Sequence, residues 1–327
     1  MQNYMDKKVS VVMCTYNGEK FVSEQIDSII NQTYPIHEII IQDDCSTDNT
    51  INILRNYEKK YPNIYVFQNK VQKGINENFF SAMERATGDY IAISDQDDIW
   101  LQDKIAKQIP YVDDFLLVAC GSKPFAGDAC AKVYFDQRKK NIGLERIIHT
   151  NMIPGHTMVF KKSLSIYIKR ITTYAYIYDK LIAMVAAAHE SIMLLPDYLV
   201  NHRRLINNAT YTQPLRYEKT TVNGIRYIKR TLSQYIKLRP QIRTYFAQLH
   251  LFIKTIECST DAKTNALKIS LYQSKKGLFN YIKLSLLYVK LRKRIFYTEE
   301  KNCILSVLRS LYFPISSSDY FRFWIKK

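Results

Sequence analysis

The chain predicts an α/β protein with a mostly parallel central sheet, followed by a helical and basic C-terminal region. Three observations carry that expectation. Short apolar runs alternate with helix-spaced patterns through the first hundred residues, as strand–helix–strand crossovers require. The apolar runs lead into polar loops rich in Asp, Asn, Ser and Thr. From about Asn223 onward the pattern becomes that of amphipathic helices, and acids become scarce.

Val9–Cys14 reads as a buried strand, with a Thr15-Tyr16-Asn17-Gly18 turn and a helical pattern from Glu19 to Asn31. Glu38–Gln42 is the second strand; it leads into Asp43-Asp44-Cys45-Ser46-Thr47-Asp48 and a helix through Tyr57. Asn63–Phe67 is the third, followed by a loop and a helix from Ile75 to Ala86. Asp89–Ser94 is the fourth, and it runs into Asp95-Gln96-Asp97-Asp98-Ile99-Trp100. Right-handed crossovers put the carboxyl ends of these strands on one rim, where open sheets bind ligands. Three polar loops on that rim point to a nucleotide-type pocket.

Residues 110–215 are less regular, with helix-like stretches at Lys162–Ile171 and Asp179–Ala188 and short strands near Thr157–Phe160 and Ile192–Leu195. Beyond them, Ile225 to Ile236 and Ile242 to Ile256 carry apolar residues at helical spacing. Leu278, Ile282, Leu286 and Val289 form a later stripe. The expected division is 1–215, with a nucleotide-binding half of about 1–110 and a second half of about 111–215, followed by 216–327.

Net charge is +17, and its distribution is uneven. Residues 1–215 hold 24 Lys+Arg and 24 Asp+Glu, whereas residues 216–327 hold 23 against 6. A basic module can meet nucleic acid, an anionic membrane or another polyanion. A nucleic-acid protein is disfavoured because the excess is confined to one third and no recognised binding motif is present. No Gly-x-Gly-x-x-Gly follows the first strand, which argues against a dinucleotide oxidoreductase. The six cysteines show no Cys-x-x-Cys spacing and no His pairing suggestive of zinc. Unpaired thiols and the absence of a leader-like segment point to the cytosol. No window approaches the ~20 apolar residues that span a bilayer, so a soluble or peripheral protein is expected.

Side chains two apart on extended chain face the same way, so Asp95 and Asp97 can address one site. Hard carboxylate oxygens suit Mg²⁺ or Mn²⁺ shared with a substrate phosphate. The plain alternative is a solvated acidic turn, with Asp98 capping a helix that begins near Leu101. Asp43 and Asp44 could accept from base N–H groups and ribose hydroxyls, or could simply build a turn beside Ser46 and Thr47.

In order and spacing, these residues resemble the family 2 glycosyltransferases, which have a GT-A fold. The resemblance covers residues 8–110 strongly and 154–210 well. It is carried by Val11–Asn17, Gln42–Asp48, Gly74 with Asn78, and Ser94–Trp100. Further on it includes Pro154-Gly155-His156-Thr157-Met158, Tyr178-Asp179-Lys180 and Asn201-His202-Arg203-Arg204. It implies a metal-dependent, inverting transfer of a sugar from a nucleoside diphosphate to a polyprenyl-linked or growing surface-polysaccharide acceptor. Asp97 and Asp95 would hold Mn²⁺ or Mg²⁺. Donor contacts would come from Thr15, Tyr16, Asn17, Glu19, Asp43, Asp44, Lys73, Asn78, Asp95, Gln96 and Arg203.

Under the same resemblance, Trp100, Gly155 and His156 would face the acceptor, and Asp179 would be the general base; by chemistry alone Asp179 reads as a helix cap. Ser94–Trp100 is in the form common among rhamnosyltransferase-like members, so deoxythymidine-diphosphate rhamnose is the first choice of donor and a uridine-diphosphate hexose the second. The loop departs from the family at Leu205, where a second His is common. The basic third reads either as helices with solvated Lys faces or as a surface on the cytoplasmic leaflet. For the latter, Lys283, Lys290 and Arg292–Arg294 lie among apolar residues, and Phe321, Phe323 and Trp324 lie beside Arg322, Lys326 and Lys327.

Overall fold

The computed structural model describes residues 6–131, 133–135, 140–168, 177–206, 221–296 (backbone alone over 221–225) and 302–321. Strand β1 (Val9–Thr15) is followed by α1 (Val22–Ile30), β2 (Glu38–Asp43), α2 (Thr50–Lys60), β3 (Ile64–Gln68), α3 (Ile75–Arg85) and β4 (Tyr90–Ser94). Both β2 and β4 are buried at every position, as is β1 except at Cys14. Strands covered on both faces read as unbroken apolar runs, which is why these three were evident from sequence. Helix α1 buries Val22, Gln25, Ile26 and Ile29, one face at helical spacing.

Next come β5 (Ile99–Trp100), α4 (Lys104–Gln108), β6 (Leu117–Ala126), α5 (Leu144–Ile147), β7 (Met158–Lys161), α6 (Ser165–Ile168), α7 (Tyr178–Ala188) and β8 (Ile192–Arg204). All eight strands form one sheet in the order β3-β2-β1-β4-β7-β6-β8-β5. The β3-β2-β1-β4 half is parallel, whereas β7 runs antiparallel to both β4 and β6, and β5 antiparallel to β8. Val11, Met13, Ile26, Ile39, Ile41, Ala92 and Val159 belong to the core under it.

The remaining helices are α8 (Thr221–Thr255), α9 (Asp261–Ser274), α10 (Leu278–Lys290), α11 (Arg292–Ile295) and α12 (Cys303–Ser316). Helix α8 runs through Pro240 without a break, so the apolar spacing up to Ile236 and from Ile242 onward belongs to one helix. The chain divides into a sheet-bearing unit, Met1–Gln137 with Ile153–Ile182 and Ser191–Pro214, and a helical unit, Arg138–Met152 with Ala183–Glu190 and Leu215–Lys327. The helical unit thus takes α5 and the end of α7 from within residues 1–215. Contacts explain the assignment: Glu145 of α5 accepts from Asn265 Nδ2 at 2.9 Å and pairs with Arg294 at 2.8 Å, and the Ala188 carbonyl accepts from Thr260 Oγ1 at 2.6 Å.

Inside the helical unit, His149 is enclosed by Phe246, Tyr288 and Phe313, with its Nε2 3.1 Å from the Tyr288 hydroxyl. Phe321, grouped by sequence with surface aromatics, is instead 1% exposed and packs on Tyr245 and Phe246. Residues 322–327 lie outside the described residues, as does Asn207-Asn208-Ala209-Thr210, which continues the Asn201–Arg204 motif in the family resemblance.

Candidate active site

Strand pairing sets three carboxyl ends side by side. Thr15 of β1 stands opposite Asp43 of β2, and Met13 opposite Ser94 of β4. The sheet order reverses at β1, so the crevice beyond its carboxyl end is where open α/β sheets take ligands. The loop after β1 is tied on both sides of that crevice. Tyr16 donates its amide to Gln96 Oε1 at 2.9 Å, and its carbonyl accepts from Gln96 Nε2 at 3.0 Å. Gly18 lies against the same side chain; a Cβ there would collide with Gln96 Oε1. Asn17, at φ +48°, donates its amide to Ser46 Oγ at 2.9 Å and accepts the Thr47 amide on its side chain at 2.8 Å. Asn is among the few side chains that tolerate that backbone conformation. Glu19 donates its amide to Asp48 at 3.1 Å and accepts the Asn49 amide at 2.9 Å.

Asp43 and Asp44 are buried, and they differ in how far they are committed. Asp43 accepts from Thr15 Oγ1 and the Ser46 amide at 2.9 Å each, from Ser46 Oγ at 2.5 Å and from Gln68 Nε2 at 3.3 Å. A carboxylate offers about four acceptor positions, so these donors fill it. Asp44 accepts the amides of Lys73 and Gly74 at 2.7 and 2.8 Å and Asn69 Nδ2 at 2.7 Å, which leaves it acceptor capacity. Lys73 therefore joins the site through its backbone, and its side chain is exposed. Asn78 accepts from Asn69 Nδ2 at 2.8 Å and donates to the Gln42 carbonyl at 2.9 Å, bracing the same loop.

Across the crevice, the acidic run after β4 meets two histidines from distant elements. Asp98 is fully buried; its Oδ1 accepts from His202 Nδ1 at 2.9 Å and from the Arg203 amide at 3.0 Å. It caps no helix, since α4 begins at Lys104 behind Asp103. His156 Nδ1 lies 3.1 Å from Asp95 Oδ2 and 3.3 Å from Asp98 Oδ2. The rings of His156 and His202 stack at 4.5 Å. Burial alone would raise the Asp98 carboxyl, but the two imidazoles and the Arg203 amide outweigh it and hold it below its ordinary value. Asp97 goes the other way: burial, then the charges of Asp95 and Asp98, push it up to about 7.

Arg203 is engaged by the protein. Its Nε donates to the Asp97 carbonyl at 2.9 Å, it pairs with Glu24 of α1, and its guanidinium sits 4.7 Å from the centres of both Phe21 and Phe125. Trp100 is 2% exposed, with the Lys104 ammonium 3.9 Å over its ring, so its indole belongs to the core. Asp179 lies half-buried in the first turn of α7. That turn is pinned by Tyr178, whose amide donates to Asn76 at 3.0 Å and whose ring stacks on Phe79 at 3.9 Å. Burial, then the charges of Asp95 and Asp179, raise the Tyr178 hydroxyl well above its ordinary range. A Cβ at Gly155 would collide with that hydroxyl, so Gly155, His156 and Tyr178 close one side of the acidic run.

A divalent cation fits this arrangement. Three carboxylates crowd this rim, and His156 only partly offsets the burial and the Asp95 and Asp98 charges that raise Asp97, so a bound cation would supply positive charge there. Among the described residues, Asp98, His156 and His202 also bring ligand atoms within 4.8 Å of one another. His202 is less available than the carboxylates, because its Nε2 lies 3.0 Å from Arg204 NH1. Arginine can only donate, so this Nε2 accepts and the ring's proton sits on Nδ1, facing Asp98. Sequence reading assigned Glu24, Phe21 and Phe125 no role, and Tyr178 none beyond its place in the Tyr178-Asp179-Lys180 motif. Their roles come from contacts between distant segments and leave no local pattern.

An open sheet with acids gathered at the carboxyl ends on both sides of β1 defines a GT-A-type α/β fold. Residues 10–172 match the family described as Glycosyl transferase family 2, so the chain carries a family 2 glycosyltransferase domain. It is 35% identical to the dTDP-rhamnosyl transferase RfbG of Shigella flexneri over 170 residues, covering 48% of this chain and 56% of that one. It is 43% identical to the poly(ribitol-phosphate) beta-glucosyltransferase of Bacillus spizizenii over 96 residues, 28% of this chain and 15% of that protein. The chain thus spans little more than half the length of the first relative and a small part of the second. In fold it is similar to S. aureus TarS 1–349, crystallised with UDP-GlcNAc, at TM-score 0.58 and 17% identity, covering 96% of this chain and 89% of that one.

Proposed function

We propose that the chain transfers a sugar, with inversion, from a nucleoside-diphosphate donor to an acceptor of surface-polysaccharide synthesis. The observation that carries this is the convergence of Asp44 and Asp95–Asp98 beside the end of β1, within a domain of this family. Asp44 and the loop Thr15–Asn17 hold the nucleoside, with Asp43 and Glu19 fixing that loop. Asp97 and Asp95 would hold Mn²⁺ or Mg²⁺, which when bound supplies Lewis-acid stabilisation of the leaving diphosphate. Arg203 holds the Asp97 segment through its carbonyl. His156 and Gly155 line the acceptor side. Asp179 takes the proton from the acceptor hydroxyl, a general-base role open to a carboxylate opposite the leaving group.

The RfbG relative favours a deoxythymidine-diphosphate rhamnose donor; a uridine-diphosphate hexose is the second reading, its hexose matched by the poly(ribitol-phosphate) beta-glucosyltransferase relative. The acceptor is a polyprenyl-linked or growing glycan, and the protein works from the cytoplasmic face of the membrane through its basic C-terminal region. Among the described residues no helix is long and apolar enough to cross a bilayer.

Calorimetric titration with both donors, with and without Mn²⁺, tests the reading. Asp97→Ala should abolish the Mn²⁺-dependent part of donor affinity, and unchanged affinity would remove its metal role. Asp179→Asn should keep donor affinity and lose about a hundredfold or more in turnover; near-normal turnover would remove it as the base.

A further inference from the structure

Helices α10 and α12 each carry a stripe of large apolar side chains on the side away from the core. On α10, Leu278, Phe279, Ile282 and Leu286 share one face and are 74, 67, 47 and 61% exposed. On α12, Ile304, Leu305, Leu308 and Leu311 do the same at 76, 47, 57 and 40%. The inward faces set serines beside an aromatic anchor: Ser285 and Tyr288 with Leu284 on α10, and Ser306, Ser310 and Phe313 on α12. The two helices lie side by side, since the Tyr281 hydroxyl donates to the Leu311 carbonyl at 3.2 Å and Tyr288 meets Phe313 edge-on at 5.2 Å.

We propose that the outward stripes of α10 and α12 form a docking face for an anionic lipid surface. The face deepens the membrane-side reading of the C-terminal region and is independent of the sugar-transfer chemistry. Charge complementarity selects this occupant. Helices α10, α11 and α12 contain no Asp or Glu. Lys283, Lys290, Lys293 and Arg309 are all exposed on these helices. Lys283 lies 4.2 Å over the Phe279 ring, a basic head on an apolar body as at a lipid interface. A second copy of this chain on the same two-fold face would bring that cationic rim against itself. Length sets the binding mode. Helices of 13 and 14 residues are only about 20 Å long against a hydrocarbon core of about 30 Å. They can lie in the interface, with their apolar faces at the headgroup boundary, and cannot span it.

Sedimentation of the full chain with vesicles of equal parts phosphatidylcholine and phosphatidylglycerol tests this, with phosphatidylcholine alone as control. The doubly substituted Leu286→Gln, Leu308→Gln protein changes only exposed positions and should fold as the parent. Parent binding to the anionic vesicles should weaken at least about tenfold in this variant, and about thirtyfold in Lys283→Gln, Lys290→Gln. Undiminished binding of the variants would overturn the face while leaving another membrane-facing surface in place. No binding by the parent would overturn both readings. A parent dimer that dissociates on Leu286→Gln, Leu308→Gln without vesicle binding would assign the face to a second copy instead.

Discussion

The sheet-bearing unit and the helical unit dispose of polar and apolar groups in opposite ways. Around β1 the buried positions include carboxylates, each with named donors: Asp43, Asp44, Asp98 and, at the other end of the sheet, Glu38. In α10 and α12 the buried polar side chains include small hydroxyls such as Ser306 and Ser310, while Leu278, Leu286, Leu305, Leu308 and Leu311 face outward. Ser310 Oγ satisfies itself on the Ser306 carbonyl at 2.8 Å. An apolar stripe therefore tells which residues share a helix face but not which face is buried. A buried acid, by contrast, must have partners wherever it lies, and so reports a built site.

Asp98→Ala is the largest way to break this contrast. It strands two imidazoles and the Arg203 amide, and should cost about 3–5 kcal/mol in denaturant unfolding. A loss below about 1 kcal/mol would mean that the histidines do not depend on Asp98. Ser310→Leu comes next: it forces bulk into an inward-facing position and should cost about 1–3 kcal/mol. Leu308→Gln on the same helix should stay within about 0.5 kcal/mol because Leu308 is exposed. Equal effects at the two positions would erase the proposed inversion of faces.

A further effect is on pH dependence. Burial alone would raise Glu38, but Ser10 Oγ at 2.6 Å and the Thr87 amide and hydroxyl outweigh it, so the folded protein holds Glu38 below its ordinary value of 4.5. Its stabilisation is complete at neutral pH and is lost as pH falls through 4.5 and then through the lower folded value. Glu38→Gln should be less stable than the parent at neutral pH by about 1 kcal/mol and should converge on it under acid. Parallel curves from neutral to acid would show that Glu38 does not titrate with unfolding.

The parallel half of the fold was legible because β1, β2 and β4 each hold an apolar run and lead into a polar loop, acidic after β2 and β4. Strand β6 was not. After Leu117–Cys120 it continues through Gly121, Ser122, Lys123 and Pro124, residues that resemble a loop. They pair with Tyr198–His202 of β8 only through register shifts around Gly121. Strand β8 was seen only at its start, because Pro196, Asp197 and the Asn-His-Arg-Arg end conceal its length. The antiparallel direction of β7 is a property of its neighbours, not of its residues. At the site, the three acidic or polar loops were legible as local clusters. The union of Asp98 with His156 and His202, and the enclosure of Arg203 by Phe21 and Phe125, depend on chain closure over long separations. Trp100 shows the limit of local reading: its position follows the acidic run, but its ring turns inward onto Lys104.

The paired bonds between Tyr16 and Gln96 carry one more consequence. A single side-chain amide serves both the N–H and the C=O of Tyr16, as an opposing strand would, so it adds one rung to the ladder beyond the end of β1. The Tyr16 amide exchanges with solvent when that rung breaks, so its protection measures how firmly the Gln96 side chain ties the loop after β4 to the loop after β1, readable at one residue in the protein at rest.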